Sequence, residues 1–169
     1  MLSLQPQADN LKQLAHIFVL YLLSGSYVAA DVGKLPPLED IQQLSRTSKQ
    51  NRIPILLMVS QYHCGYCDRM KEEVLQPLQL DQAYRHRVLI RELSIDPGEM
   101  VTTLQGERQA ADDFITQYNV SVTPTLLFLD AEGREAAQRI IGINTVDFLF
   151  LYIEAAIDQA TAKILSAGD

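Results

Sequence analysis

An uncharged, mostly apolar run, Ile53 to Ser60 (IPILLMVS), leads through Gln61-Tyr62-His63 into Cys64-Gly65-Tyr66-Cys67. A continuous apolar run of this kind suits a strand buried on both faces. Such a strand needs a sheet with helices packed on either side. Beyond the cysteines, Met70, Val74 and Leu78 recur at i, i+4 and i+8, one face of a helix, with Pro77 expected to bend or end it. The cysteine pair therefore falls where a buried strand gives way to a helix. Unpaired N–H groups and the helix dipole at that point stabilise an anion and lower a thiol pKa. Cys64, the outer residue, is expected to attack as the thiolate. Cys67, one turn inward, is expected to resolve the mixed disulfide. Gly65 leaves room for a substrate backbone, and Tyr66 shapes the rim.

Other chemistries fit less well. A structural zinc site needs four ligands, and the chain has only these two cysteines and no second Cys-x-x-Cys. Neither His63 nor His86 stands at a completing spacing, and His16 lies in an apolar N-terminal segment. No metal and no organic cofactor are expected. The net charge is −7, from 14 basic and 21 acidic residues, with no basic run. Nucleic acid is a poor partner for such a chain, because phosphate contacts need clustered Lys and Arg. With 169 residues, 47% of them hydrophobic, the chain has about one domain's worth of core.

Leu14 to Ala30 is nearly free of charge, with its densest apolar stretch at Ile17 to Leu23. Small residues and Val28-Ala29-Ala30 follow, an A-x-A-like cleavage site before Asp31. The expectation is a signal peptide over 1–30, or an uncleaved N-terminal membrane anchor, then a linker over 31–37 and a folded domain over 38–169. An exported chain works where a cysteine pair can stay oxidised.

Along that domain, a helix is predicted over Leu38–Lys49 with Glu39 and Asp40 in its first turn, and strands over Ile53–Ser60 and Val88–Ile95. Pro97–Glu107 is polar and reads as a loop; Gln109–Tyr118 reads as a helix. Thr125–Asp130 and Glu135–Ile141 read as a hairpin around Ala131-Glu132-Gly133-Arg134, with Gly133 at positive φ. A C-terminal amphipathic helix over Thr145–Ala162 buries Val146, Leu149, Phe150, Ile153, Ile157 and Ala160. Phe148 and Leu151 fall outside that stripe and are assigned to ordinary packing rather than a partner surface.

These residues together resemble the thioredoxin-fold family. The resemblance rests on Cys64-Gly65-Tyr66-Cys67 after the strand, Thr123-Pro124 before a later strand, the turn at Glu132-Gly133 and Gly142 before the last helix. It covers about residues 38–162. It implies an α/β thioredoxin fold, a central mixed sheet flanked by helices. It also implies a thiol–disulfide oxidoreductase with a cis Pro124 beside the cysteines and Thr123 pairing with substrate backbone. The layout is similar to small exported thioredoxin-related proteins of the SoxW kind, which implies reduction of protein disulfides with electrons from a membrane thiol-transfer protein in a bacterial periplasm. The Gly-Tyr dipeptide and Thr123 are similar to the disulfide isomerase DsbC, so oxidation or isomerisation is the alternative direction. A non-catalytic peptide- or metal-binding member of the fold is a further alternative.

Two positions depart from the thioredoxin pattern. His63 stands where thioredoxins carry Trp; if charged, it favours the thiolate. Met58 stands where they carry a buried Asp that serves the inner cysteine. Glu92, near where the family has Lys, is the candidate replacement. Its alternative is a surface residue paired with Arg87 or Arg91.

Overall fold

The computed structural model describes residues 34–143 and 146–167, which lie within one compact unit, Gly33–Asp169. The signal or anchor expected over 1–30 falls outside the described residues. The elements are α1 (Ile41–Asn51), β1 (Ile55–Ser60), α2 (Gly65–Met70), a π-helical segment (Lys71–Leu75), α3 (Gln76–Leu80), β2 (Leu89–Ser94), β3 (Met100–Thr102), β4 (Arg108–Ala110), α4 (Ala111–Thr116), β5 (Thr125–Leu129), β6 (Ile140–Ile141) and α5 (Val146–Ser166).

The main sheet runs in the order β2-β1-β5-β6. β1 and β2 are parallel, and β1–β5 and β5–β6 are antiparallel. Every residue of β1 and of β5 is buried, because helices cover both faces. Ile55, Leu57, Val59, Leu127 and Leu129 pack with α1 and α4 through Ile41, Leu44, Phe114 and Ile115. Leu56, Met58, Leu126 and Phe128 pack on the other side with Cys67, Met70, Leu149, Ile153 and Ile157. Strand alternation divides one apolar run between two cores.

Several expectations change. The domain starts earlier than Leu38: Leu35 is buried, and Pro37 bridges Glu92 in parallel, with Leu38 N–H donating to the Glu92 carbonyl at 2.7 Å. Residues expected in a linker thus edge the sheet, where the missing N–H of proline costs nothing. Asp40 is not in the first turn of α1 but caps it, accepting from Gln43 N–H at 2.9 Å. Pro77 does not end its helix. The segment before it widens to π geometry, with Gln76 N–H donating to the Lys71 carbonyl, and helix continues to Leu80. The wider turn relieves the clash a proline ring makes with the preceding turn.

The polar stretch expected as a loop contains a small hairpin, with Met100 paired to Ala110 and Thr102 to Arg108. Val101 at its centre is fully buried, and Thr102 N–H donates to the Glu39 carbonyl, tying the hairpin to the start of α1. The return strand after Gly133 shrinks to an isolated Glu135–Leu129 bridge and the two residues of β6. Gly133 does take positive φ, +75°. On α5, Phe148 and Leu151 are exposed rather than packed, and so is Phe150, expected on the buried stripe, whose ring meets that of Tyr84 edge-on.

Candidate functional site

The site lies where β1 ends. Gln61, Tyr62 and His63 carry the chain to Cys64, the N-cap of α2. His63 sits at φ +57°, a left-handed conformation that non-glycine residues adopt only when their surroundings hold them. Here Tyr62 N–H donates to Asp96 Oδ2 at 2.8 Å, and the Tyr62 and His63 rings meet edge to face at 4.0 Å. Asp96 is itself held by the hydroxyl of Ser94 at the end of β2. A carboxylate beyond the neighbouring strand thus fixes the turn that delivers Cys64.

Cys64 and Cys67 are joined by a disulfide, S–S 2.02 Å. The two sulfurs differ in surroundings. Cys67 is completely buried among Met58, Met70 and the α5 side chains, whereas Cys64 is partly exposed. Cys64 Sγ accepts from Cys67 N–H at 3.1 Å. That bond strengthens when the sulfur carries charge. A Cβ placed on Gly65 would meet nothing within 4 Å, so the space beside the disulfide is open. Tyr62 and Tyr66 stand exposed around it.

The opposite wall comes from the segment before β5. The Thr123–Pro124 peptide is cis. Thr123 Oγ1 lies 3.7 Å from Cys64 Sγ and 3.0 Å from Gln61 Oε1. Gly142 N–H donates to the Pro124 carbonyl at 2.8 Å, anchoring this wall to the end of β6.

Glu92 stands opposite Met58 in the β1–β2 register. It pairs with neither Arg87 nor Arg91: Arg87 bonds Asp158 on α5, and Arg91 donates to the Ile90 carbonyl. Instead Glu92 Oε1 accepts from Ser60 Oγ at 2.6 Å and lies 3.1 Å from Lys71 Nζ. Burial works against the Lys71 charge, but Glu92 and then Asp68 outweigh it and hold the ammonium above its ordinary range. A partly buried ion pair thus joins β2 to the first residue of the π segment, four residues beyond Cys67 in the chain.

The structure brings Cys64, Cys67, Thr123, Pro124 and Tyr66 to one place, with His63 beside them. Glu92 is tied to this region through Lys71. Sequence reading missed Gln61, Ser60, Lys71 and Asp96. Lys71 carried a faint signal, four residues after Cys67 on the same helical face. Gln61 and Asp96 carried none, since their partners are remote in sequence. Among the described residues, no group of three or more His, Cys, Asp or Glu side chains is placed to hold a metal ion.

A family model for a thioredoxin-like domain matches residues 41–161. The disulfide bond reductase DsbH of Chlamydia pneumoniae is 29% identical over 94 residues, spanning 54% of this chain and 54% of that protein. Among solved structures, a DsbH oxidoreductase superposes with a TM-score of 0.53 at 20% identity, covering 82% of this chain and 98% of that one. Fasciola hepatica thioredoxin gives 0.51 at 16% identity, covering 75% and 99%. At these identities the superpositions show a shared fold.

Proposed function

The chain belongs to the thioredoxin-like domain family and carries that fold's redox disulfide at Cys64–Cys67; on that premise we propose that it is an exported disulfide reductase. The observation that carries the reading is the asymmetry of the pair, one sulfur reachable and the other buried. In the reduced protein, the Cys64 thiolate attacks one sulfur of a protein disulfide, and the other substrate sulfur leaves as a thiolate. Cys67, deprotonated, then attacks Cys64 Sγ and releases the second substrate sulfur. Two electrons have passed to the substrate, and the chain is left as the disulfide seen here.

Thr123 and Pro124 form the wall against which the substrate strand lies, and Tyr66 forms the rim. His63 and Glu92 modulate the pair. His63 adjoins the attacking sulfur, and Glu92 is linked through Lys71 to the helix that carries Cys67. No organic cofactor or metal takes part. The reducing direction is supported by the likeness to a protein named as a disulfide bond reductase, which spans about half of each chain. The residue pattern over 1–30 supports export to a bacterial periplasm by a cleaved signal, with the folded domain following. In that oxidising compartment the disulfide must be re-reduced, and a membrane thiol-transfer protein fits that role.

The test is equilibration of the chain with dithiothreitol and glutathione buffers. A potential near that of thioredoxin, about −270 mV, is expected for a reductase; about −180 to −120 mV would make it an oxidant or isomerase instead. Cys64→Ser should abolish turnover of a protein disulfide, whereas a peptide-binding role would survive the change.

A further inference from the structure

The Thr123 hydroxyl has two acceptors within reach and one proton to give. Gln61 Oε1 stands at 3.0 Å and Cys64 Sγ at 3.7 Å. Both geometries are donations from the same Oγ1, so they exclude each other at any instant. The sheet brings these residues together. In the antiparallel β1–β5 pairing, Val59 lies opposite Thr125. Continuing that register past the strand ends sets Gln61 opposite Thr123. Strand pairing thus places Gln61 within reach of the hydroxyl that also reaches the reactive sulfur.

Which acceptor wins depends on the redox state. A disulfide sulfur is a weak acceptor, and the amide oxygen is both closer and stronger. A thiolate reverses the order, since charge-assisted bonds are roughly twice as strong as neutral ones. We propose that Gln61 is a positioning residue that competes with Cys64 for the Thr123 hydroxyl, holding it in the disulfide state and yielding it to the thiolate on reduction. The inference rests on the redox reading above and adds a residue to it.

Reduction by dithiothreitol breaks the Sγ–Sγ bond, and two electrons come from the reagent, whose own sulfurs join in a ring disulfide. Cys64 is left as thiolate and Cys67 as thiol, with one proton going to the buffer. The Thr123 hydroxyl turns to Cys64, and the Gln61 amide is released to water. Because the Gln61 bond is made only before reduction, it favours the disulfide. The bond to Cys64 favours the dithiol. The two residues therefore act with opposite sign, which a merely structural role for either would not produce. The other charged or titratable groups of the adjoining segments, Tyr62, His63, Tyr66, Asp68, Arg69, Asp96 and the Lys71–Glu92 pair, are common to all the variants below and cancel in the differences.

The experiment is the equilibrium constant of the full chain with dithiothreitol, together with the pH dependence of Cys64 alkylation in the reduced protein. Thr123→Val should shift the equilibrium toward the disulfide by about three- to tenfold, up to about 30 mV for this two-electron couple. The Cys64 thiol should then ionise at higher pH. Gln61→Leu should shift the equilibrium the other way, toward the dithiol, by about threefold, and lower the pH of ionisation. In the double variant the Gln61 effect should vanish, since no hydroxyl remains to compete for. Thr123→Ser, which keeps the hydroxyl, should stay close to the parent and respond to Gln61→Leu as the parent does. The proposal is overturned if Gln61→Leu leaves the constant unchanged, moves it toward the disulfide, or moves it equally with Val at position 123. If the parent pair cannot be cycled by dithiothreitol at all, the redox reading itself falls, and this inference with it. If the parent cycles and Gln61 is inert, only the competition is lost.

Discussion

The two faces of the main sheet are built from the same strands, yet they do different work. Toward α1 and α4, β1 and β5 present the apolar Ile55, Leu57, Val59, Leu127 and Leu129, with Thr125 at the start of β5 on the same alternation. Toward α5 and the cysteine helix they present Leu56, Met58, Leu126 and Phe128, and this face also takes in Cys67. At its end the same side turns polar, with Ser60 bonded to Glu92 and Glu92 paired with Lys71. One face is a dry scaffold that any close-packed apolar set could supply. The other must pack equally well around a sulfur that changes its bonding. The lesson is that stability and redox behaviour are assigned to alternate residues of one strand.

The sharpest attempt to break this division is Leu57→Ala. Leu57 is fully buried on the dry face, and the cavity should cost about 2–5 kcal/mol in urea unfolding. The equilibrium with dithiothreitol should stay where it was; a shift would mean that the faces are coupled.

Next in size is an alkaline effect on the same side. Burial, reinforced by Glu135 and Asp130, pushes the Tyr118 phenol up to about 12 from its ordinary 10. In this window the unfolded chain loses the proton first. Stability is therefore complete below pH 10 and should fall between pH 10 and about 12, by on the order of 2–3 kcal/mol. Tyr118→Phe should abolish that fall, while losing the bond to the Gly133 carbonyl at 2.9 Å, about 1 kcal/mol at neutral pH.

Gly133→Ala comes third. The residue sits at φ +75°, and a Cβ there would come within 3.1 Å of Leu104 Cδ1. The left-handed backbone alone should cost about 1–2 kcal/mol, read as a drop in unfolding midpoint. The redox equilibrium should again be untouched.

The smallest stability effect belongs to the other face. Lys71→Met should cost about 1 kcal/mol by stripping Glu92 of its cation. Since the folded protein raises the Lys71 pKa above its ordinary 10.5, that contribution is complete below pH 10.5 and fades as pH rises through the raised value. Unlike the three changes before it, Lys71→Met should also move the dithiothreitol equilibrium. If it does not, the ion pair is scaffold as well, and the division between the faces lies closer to Cys67.

The apolar run Ile53–Ser60, the cysteine pair behind it, the Met70–Val74–Leu78 stripe and Gly133 are local or periodic signals. Periodicity of burial is written directly into a chain, which is why the layered α/β architecture and the position of the disulfide were legible without coordinates. Thr123 and Pro124 were legible only through family likeness. Tertiary structure decided what depends on register and on remote pairing. It docked Leu35–Pro37 on the edge of β2, because a strand edge has free backbone groups that a neighbouring segment can satisfy. It paired Met100–Thr102 with Arg108–Ala110, a polar stretch whose hairpin buries Val101 against residues of α1 and α4. It left Phe148 and Leu151 in solvent, since the covered stripe of α5 is set by the sheet beneath it. It also set Glu92 beside Lys71, and Gln61 across from Thr123. No local pattern specifies such contacts, because each partner is chosen by where the fold brings it.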